Sequence, residues 1–580
     1  MSIDVALPVP LLTALGGGIA APLLAWVHRR LPLVAGIVTM LATLALLGDI
    51  DRDVLAGTGH VITHYFGGEL PFGGKSLGIA FAADPFGALM ATVSAAVGLV
   101  LLLSLHSEFG DLGKREIGGL ACLVQLLIAA LIGAALTADM INLFVWFEVA
   151  ALCSYGLTGF FLERPTALEA AFKNLVLTST AGFAVFIGAA MLYSASGALN
   201  FGQLHNALSG SIGKAELLAL TLLVGGFATK AGLMPFHAWL PDAHTPVPGA
   251  VSGLFSGLMV NLGIIALGRI ALQIVPHVAG DHLLGLLTGI GLASAILGAV
   301  LALAQDDLKR LLAWDTVSQM GIVVVGLATA ERYGVTGAVY HLANHALFKP
   351  LLFLCAETIV HSTGLTKLSE MGGLARRRPL LTAAFTAGSL AIAGVPPLNG
   401  YASLGLLHKG LEHHPVQFVL AVVAQTITIA ALARACYLGF YRRRARPYER
   451  LERPHTGMLV SLAILGFACL VLGGFAAQVV EGVFGPAAAE LLDPTAFSAA
   501  VLHGGGTVPV SSVSFDYGDL ADVLTTLVEL VLAAALLVVY LRRGEPRVVT
   551  WLRRIHTGSV NDYAAFAITG FLIVFAALNS

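Results

Sequence analysis

The sequence predicts an all-α polytopic membrane protein of about 16 transmembrane helices, with two inverted five-helix repeats that each contain a broken helix. Three observations lead there. The 580 residues are 57% hydrophobic and 11% charged, with a mean hydropathy of +0.86, against about 25% charged in a soluble domain. Apolar runs of about 20 residues, the length that crosses a bilayer as a helix, recur along the chain. Two of these runs are interrupted by Gly and Pro about 165 residues apart, in TKAGLMPFHAWL and LAIAGVPPLNGYASLGLL.

Residues 1–117 hold spans beginning near Leu11, Leu31 and Pro85. Leu11 to Val27 lacks the charged start and cleavage site of a signal peptide and is expected to stay as a span. The loop Gly48 to Ala83 contains HYFGGELPFGGKSLGIAF, a Gly-rich alternating stretch that suggests a small hairpin or lid. Residues 118–273 form the first repeat, with spans from Gly118, Met140, Asn174, Leu217 and Val247. Residues 282–441 form the second, from Leu284, Leu308, Gly334, Leu380 and Val416. An odd number of spans per repeat inverts one against the other and puts the working site at midplane along their seam. Residues 442–580 add spans near Gly457, Val523 and Ala564 and an irregular loop from about Ala477 to Leu520. They also carry PRVVTWLRRIHTG, a short amphipathic helix for the cytoplasmic surface.

Alternate loops divide the basic residues unevenly. One set holds 23 of the 32 Lys and Arg; the other holds six, Arg52, Lys75, Lys214, Arg269, Arg332 and Lys409. The positive-inside rule assigns the first set to the cytoplasm and both termini to the outer side. A net charge of −2 argues against a nucleic-acid partner. The five cysteines lie in apolar runs without metal-ligand spacing and read as small hydrophobes. No cofactor, metal site or catalytic chemistry of its own is expected.

Charge inside the spans is scarce and therefore informative. Lys230 stands at mid-span beside the first break, where an ammonium costs roughly 2.5 kcal/mol or more to bury. Glu148, in INLFVWFEVAALCSYGLTGF, is the carboxylate that would pair with it, either as a proton switch or as a static pair pinning two helices. His341, His345 and Lys349 recur every fourth residue and share a helix face, with Glu357 two turns on. Such a row passes protons, because histidine titrates near neutrality, or forms a satisfied polar seam. A haem would need a second axial ligand, and nothing in the spacing marks one. Asp315, Ser318 and Gln319 add polarity to the tenth span, while Arg434 and Glu529 read as helix-packing charges. His237, Asp242 and His244 lie where protons could enter from the cytoplasmic end.

Five ordered motifs carry a resemblance: INLFVWFEVAALCSYGLTGF, FATKAGLMPFHAWLPDAHTPVPGAVSGL, LKRLLAWDTVSQMG, HLANHALFKPLLFL and AGVPPLNG. Across about Pro85 to Tyr441 the chain resembles the antiporter-like membrane subunits shared by respiratory complex I, membrane-bound hydrogenases and Mrp-type cation/proton antiporters, with the D component of the Mrp antiporters the most similar. The resemblance implies a proton path through Glu148, Lys230, His341, His345 and Lys349, with His237, Asp315, Glu357 and His408 as accessories. It implies a Na+/proton antiporter complex in a bacterial inner membrane, with other hydrophobic subunits as partners, further antiporter-like ones among them.

Two positions depart from the pattern. Asn261 stands where the family carries lysine or histidine, and Leu404 where it carries lysine or glutamate. Asn261 relays a hydrogen bond but holds no charge; Leu404 does neither. His408 or the Lys349/Glu357 face would then complete the outward half. The alternatives are a proton-pumping arm of a redox complex, part of an inorganic-carbon uptake system, and a scaffold that no longer conducts.

Overall fold

Thirteen helices among the described residues are long and apolar enough to cross a membrane. The computed structural model describes residues 7–55, 60–67, 78–109, 112–162, 165–210, 212–275, 277–444, 448, 451–507, 520–556 and 558–579. The first unit contains α1 (Val9–Val27), α2 (Leu31–Leu55), strands β1 (His60–Phe66) and β2 (Ile79–Ala83), and α3 (Pro85–Glu108). Then come α4 (Lys114–Leu136), α5 (Met140–Thr158), α6 (Pro165–Ser196), α7 (Phe201–Leu208), α8 (Lys214–Ala231), α9 (Trp239–His244) and α10 (Gly249–Ile274). The next stretch holds α11 (His277–Leu303), α12 (Leu308–Ala328), α13 (Arg332–Thr363), α14 (Pro379–Ile392), α15 (Gly400–Gly410) and α16 (Pro415–Cys436). The chain closes with α17 (Thr456–Gly474), α18 (Gly485–Leu491), α19 (Pro494–Leu502), β3 (Gly506–Thr507), α20 (Leu520–Arg543), α21 (Arg547–Ile555) and α22 (Val560–Asn579). The three further spans anticipated from sequence fall on α8, α13 and the α14/α15 pair, which are interrupted or carry too much polarity to count as apolar crossings.

Caps mark where helices begin. Asp139, Asn200, Asp307 and Asp493 each accept a backbone N–H from the first turn they precede, satisfying donors the helix leaves open. Both broken helices end alike. α8 stops at Gly232, in the left-handed region at φ 70°, and α14 stops just before Gly394, also at φ 70°, a conformation glycine adopts without a Cβ clash. Backbone freed by the breaks is bonded by neighbours, as irregular segments at membrane depth require. Met234 N–H donates to Ser294 Oγ at 2.8 Å, and Asn399 N–H donates to the Cys469 carbonyl at 3.0 Å. At Gly263 of α10 a Cβ would stand 2.5 Å from the Phe227 carbonyl and the Ala231 nitrogen. Only glycine lets α10 approach the end of α8 that closely.

The loop Gly48 to Ala83 does form a hairpin. β1 and β2 pair antiparallel from Ile62↔Ala83 to Phe66↔Ile79; segment 68–77, with Lys75, lies outside the described residues. The second long loop corrects the expectation of irregular structure. Within it α18 and α19 are helical, and β3 joins β1 through His60↔Thr507; 508–519 lie outside the described residues.

Arg269 is also corrected. Counted as a loop charge, it is fully buried in the last turn of α10, because its guanidinium is bonded on every side. It donates to Asp84 at 2.5 and 2.8 Å and to Gln273 at 2.7 Å, stands 3.6 Å from Glu490 of α18, and packs between the rings of Phe86 and Phe497. This network fastens the hairpin-side cap to the helix bundle.

Candidate functional site

Helix α13 sets the axis of the site. From His341 to Glu357 it rises about 24 Å, most of a hydrocarbon core of roughly 30 Å, and His341, His345 and Lys349 are fully buried along it. Asp315 of α12 meets the Lys349 ammonium at 2.5 Å, and the same ammonium donates to the Leu312 carbonyl at 2.8 Å. One turn on, neither ring nitrogen of His345 is hydrogen-bonded to another protein group. Buried polar groups are normally bonded, so this ring is where the row calls for a mobile partner.

His341 is fully bonded. Its Nε2 lies 2.9 Å from Gln319 Oε1 and its Nδ1 lies 3.0 Å from Ser403 Oγ. An amide oxygen only accepts, so Nε2 carries hydrogen. Ser403 Oγ is also 3.1 Å from the Gly400 carbonyl. Pointed at Nδ1, the hydroxyl satisfies the neutral ring; turned to Gly400, it accepts from the imidazolium. Either charge state is accommodated by one hydroxyl rotation. Gln319 Nε2 reaches Gln425 Oε1 at 3.5 Å, and Gln425 Nε2 donates to the Ile392 carbonyl at 2.6 Å.

Lys230 ends α8, fully buried, with its ammonium over the Phe147 ring at 5.1 Å and no hydrogen-bond partner. Glu148 is half-buried, its carboxylate packed against Gly182 of α6. The expected contact pair is not formed: no ion pair within 4 Å joins Glu148 to Lys230 among the described residues, because the carboxylate is turned to α6. Asn261 is buried on α10 between two π-helical turns, Phe255–Met259 and Arg269–Ile274, and its Oδ1 is unpartnered.

The end of the bundle that carries most of the basic loops has a charged mouth. Asp242 of α9 accepts from Lys173 at 3.2 Å, Arg310 at 3.1 Å and the Tyr563 hydroxyl at 2.9 Å. Asp242, Lys173, Arg310 and Glu169 line an open cavity of about 130 Å³. Glu357 belongs to this mouth rather than to the Lys349 contact: it pairs with Lys309 at 2.5 Å, and Lys309 donates to the Val247 carbonyl at 2.9 Å. His244 stacks on Phe353 at 4.7 Å with both nitrogens unpartnered, one turn of α13 from Lys349. His237 sits beside, its Nε2 3.0 Å from Nε2 of His556. His556 Nδ1 lies 2.9 Å from the Leu552 carbonyl. With Nδ1–H donating there, a neutral His556 accepts at Nε2 and His237 supplies the shared hydrogen; burial holds the His556 pKa below its usual value.

At the hairpin face His408 stands 3.8 Å from Glu529 and lines a cavity of about 310 Å³ with Lys409, Glu412 and Asp522. Between Gln425 and His408 lies a void of about 10 Å³ walled by Ile322, Val325, Leu404, Leu407 and Leu411. That is barely the space of one water. Arg434 donates to the Leu303 and Gln305 carbonyls at 3.3 and 2.6 Å and joins helix ends.

Residues 137–428 match the family described as NADH:quinone oxidoreductase/Mrp antiporter, TM. The chain belongs to this family. NADH-quinone oxidoreductase subunit N of Desulforudis audaxviator is 32% identical over 423 residues, covering 70% of this chain and 84% of that protein. The D component of the Na(+)/H(+) antiporter of Alkalihalophilus pseudofirmus is 31% identical over 431 residues, 73% of this chain and 86% of that one. A chain of the Mrp complex from Dietzia sp. superposes with a TM-score of 0.78 at 25% identity, over 87% of this chain and 100% of that chain. The protein is an antiporter-like membrane subunit.

The matched stretch of this antiporter-family chain contains every anticipated pathway residue, from Glu148 to His408. Sequence reasoning missed Ser403 and Gln425, which complete the His341 relay, and Lys173, one of the 23 basic residues assigned to the cytoplasmic loops. The signal for Gln425 was present in an otherwise apolar span, AVVAQTITIA. Nothing in the sequence marked Ser403.

Proposed function

We propose that this subunit conducts protons for a Mrp-type Na+/proton antiporter complex in a bacterial inner membrane, with both termini outside. The observation that carries the reading is the buried polar row: Asp315–Lys349, His345, then His341 bonded to Ser403 and Gln319. Protons enter at the Asp242 mouth, pass His244 and the Lys349 pair, and reach His341, whose Nδ1 takes a proton as Ser403 turns. Lys230, just before the first break, and Glu148 of α5 are separated charges; movement of either changes the field on Lys349 and so sets when the row loads. The two five-helix repeats, residues 118–273 and 282–441, meet along this row. Partners are further hydrophobic subunits, and the similarity to the D component of a Na(+)/H(+) antiporter and to a chain of a Mrp complex supports that context.

The test is sodium-driven proton flux in vesicles containing the intact complex. Lys230→Ala is expected to abolish flux with assembly unchanged. Unchanged flux would make the chain a scaffold, the reading that the apolar gap at Leu404 favours. Flux driven only by a quinone or hydrogenase reaction would place it in a redox arm, as the similarity to a component of NADH-quinone oxidoreductase favours.

A further inference from the structure

We infer that the basic cavity between the start of α14 and the end of α16 is a binding site for the phosphate headgroup of an acidic phospholipid. The cavity measures about 650 Å³, and Arg376, Arg377, Arg443 and Arg444 line it. None of the four forms an ion pair with a carboxylate among the described residues, and Nη1 of Arg444 is buried without a hydrogen-bond partner. Four guanidinium groups gathered without a counter-charge among the described residues repel one another, and an anion seated among them removes that repulsion.

The site is built rather than a loose patch. Arg442 turns away from the cavity and donates to the Leu368, Ser369 and Met371 carbonyls at 3.2, 2.6 and 2.7 Å. Tyr448 donates its hydroxyl to the Gly372 carbonyl at 2.7 Å and accepts from the Gly372 N–H at 3.2 Å. Its ring carries Arg377 at 5.5 Å and Arg444 at 4.0 Å, and the unpartnered Nη1 of Arg444 is left for a bond to a phosphate oxygen.

The surroundings select a lipid over a free anion. Tyr441 lines the cavity and is 56% exposed, and Tyr437, in the turn that continues α16, and Leu380 of α14 are 44% and 50% exposed. Aromatic side chains at helix ends sit at headgroup level, and basic pockets between membrane helices take anionic headgroups. The phosphate enters the arginines while the acyl chains run down the exposed faces of α14 and α16.

The experiment is native mass spectrometry and thermal melting of the purified intact complex in detergent, with phosphatidylglycerol, phosphatidylcholine or inorganic phosphate added. Phosphatidylglycerol is expected to stay bound and raise the melting midpoint, and phosphatidylcholine and phosphate to do neither. Replacing all four arginines (Arg376→Gln, Arg377→Gln, Arg443→Gln, Arg444→Gln) should cut retention at least about tenfold, whereas Arg29→Gln with Arg30→Gln, elsewhere among the basic loops, should leave it intact. If the fourfold variant does not assemble, Arg377→Gln alone must lower retention measurably. Equal retention of phosphatidylcholine, or equal loss in the Arg29/Arg30 variant, would overturn the site as general surface attraction. Displacement of the lipid by inorganic phosphate would overturn the lipid as the ligand.

Discussion

At the first interruption α8 ends on a left-handed glycine, and the helix presents Lys230, with Asp242 and His237 close behind in sequence. At the second, α14 ends on a left-handed glycine too, yet the helix that follows presents Leu404 and Leu407, and the space they leave holds about 10 Å³. One backbone device thus serves two chemistries. The break opens buried carbonyls and N–H groups at depth; the side chains placed beside it decide whether the opening is wet and charged or dry. Along the row, the half nearer the basic loops holds the Asp242, Lys309–Glu357 and Lys349–Asp315 pairs, whereas the hairpin half has one apolar gap in series with a polar relay.

The strongest way to break this contrast is at its best-formed pair. Lys349→Met leaves Asp315 buried and unpaired, and unfolding or subunit loss should register a destabilisation of about 3–5 kcal/mol. Adding Asp315→Leu should recover most of that stability in thermal melts without recovering flux; recovery of both would show the pair to be structural only. Next in size is the gap itself. Leu404→Lys should raise flux about tenfold, equivalent to about 1.4 kcal/mol off the barrier, while Leu404→Met changes little. The smallest effect is expected at the exit: His408→Ala should slow flux about two- to threefold. A rise in Leu404→Lys together with no effect of His408→Ala would remove His408 from the path.

Much of this was legible in the sequence because membranes impose length and apolarity one segment at a time. The span positions, the two breaks and the α13 row follow from local rules, whereas Leu404 stands out only against the family pattern. What escaped were contacts between distant residues. Arg269 looked like a loop charge because hydropathy ended its span early; its partners Asp84 and Glu490 lie in other segments, and no periodicity links them. Glu357 shares a helix face with Lys349 by count, but Lys309 is closer to it. The pairing of Glu148 with Lys230 was chemically reasonable and geometrically absent, since the carboxylate's direction depends on the space that Gly182 leaves beside it.

The narrow void at Leu404 also has an electrical consequence. Polar, charge-lined cavities take up the potential of the water they open to, so a voltage across the membrane does not fall evenly along the chain. It falls more steeply where the medium is dry and least polarisable, as in the leucine-walled gap between Gln425 and His408. A charge crossing the whole membrane does about 2.3 kcal/mol of work for each 100 mV, and the dry gap takes more of that work per ångström than the polar cavities on either side. The leucines therefore resemble the insulating layer of a capacitor, so that residues with no charge shape where the membrane potential acts.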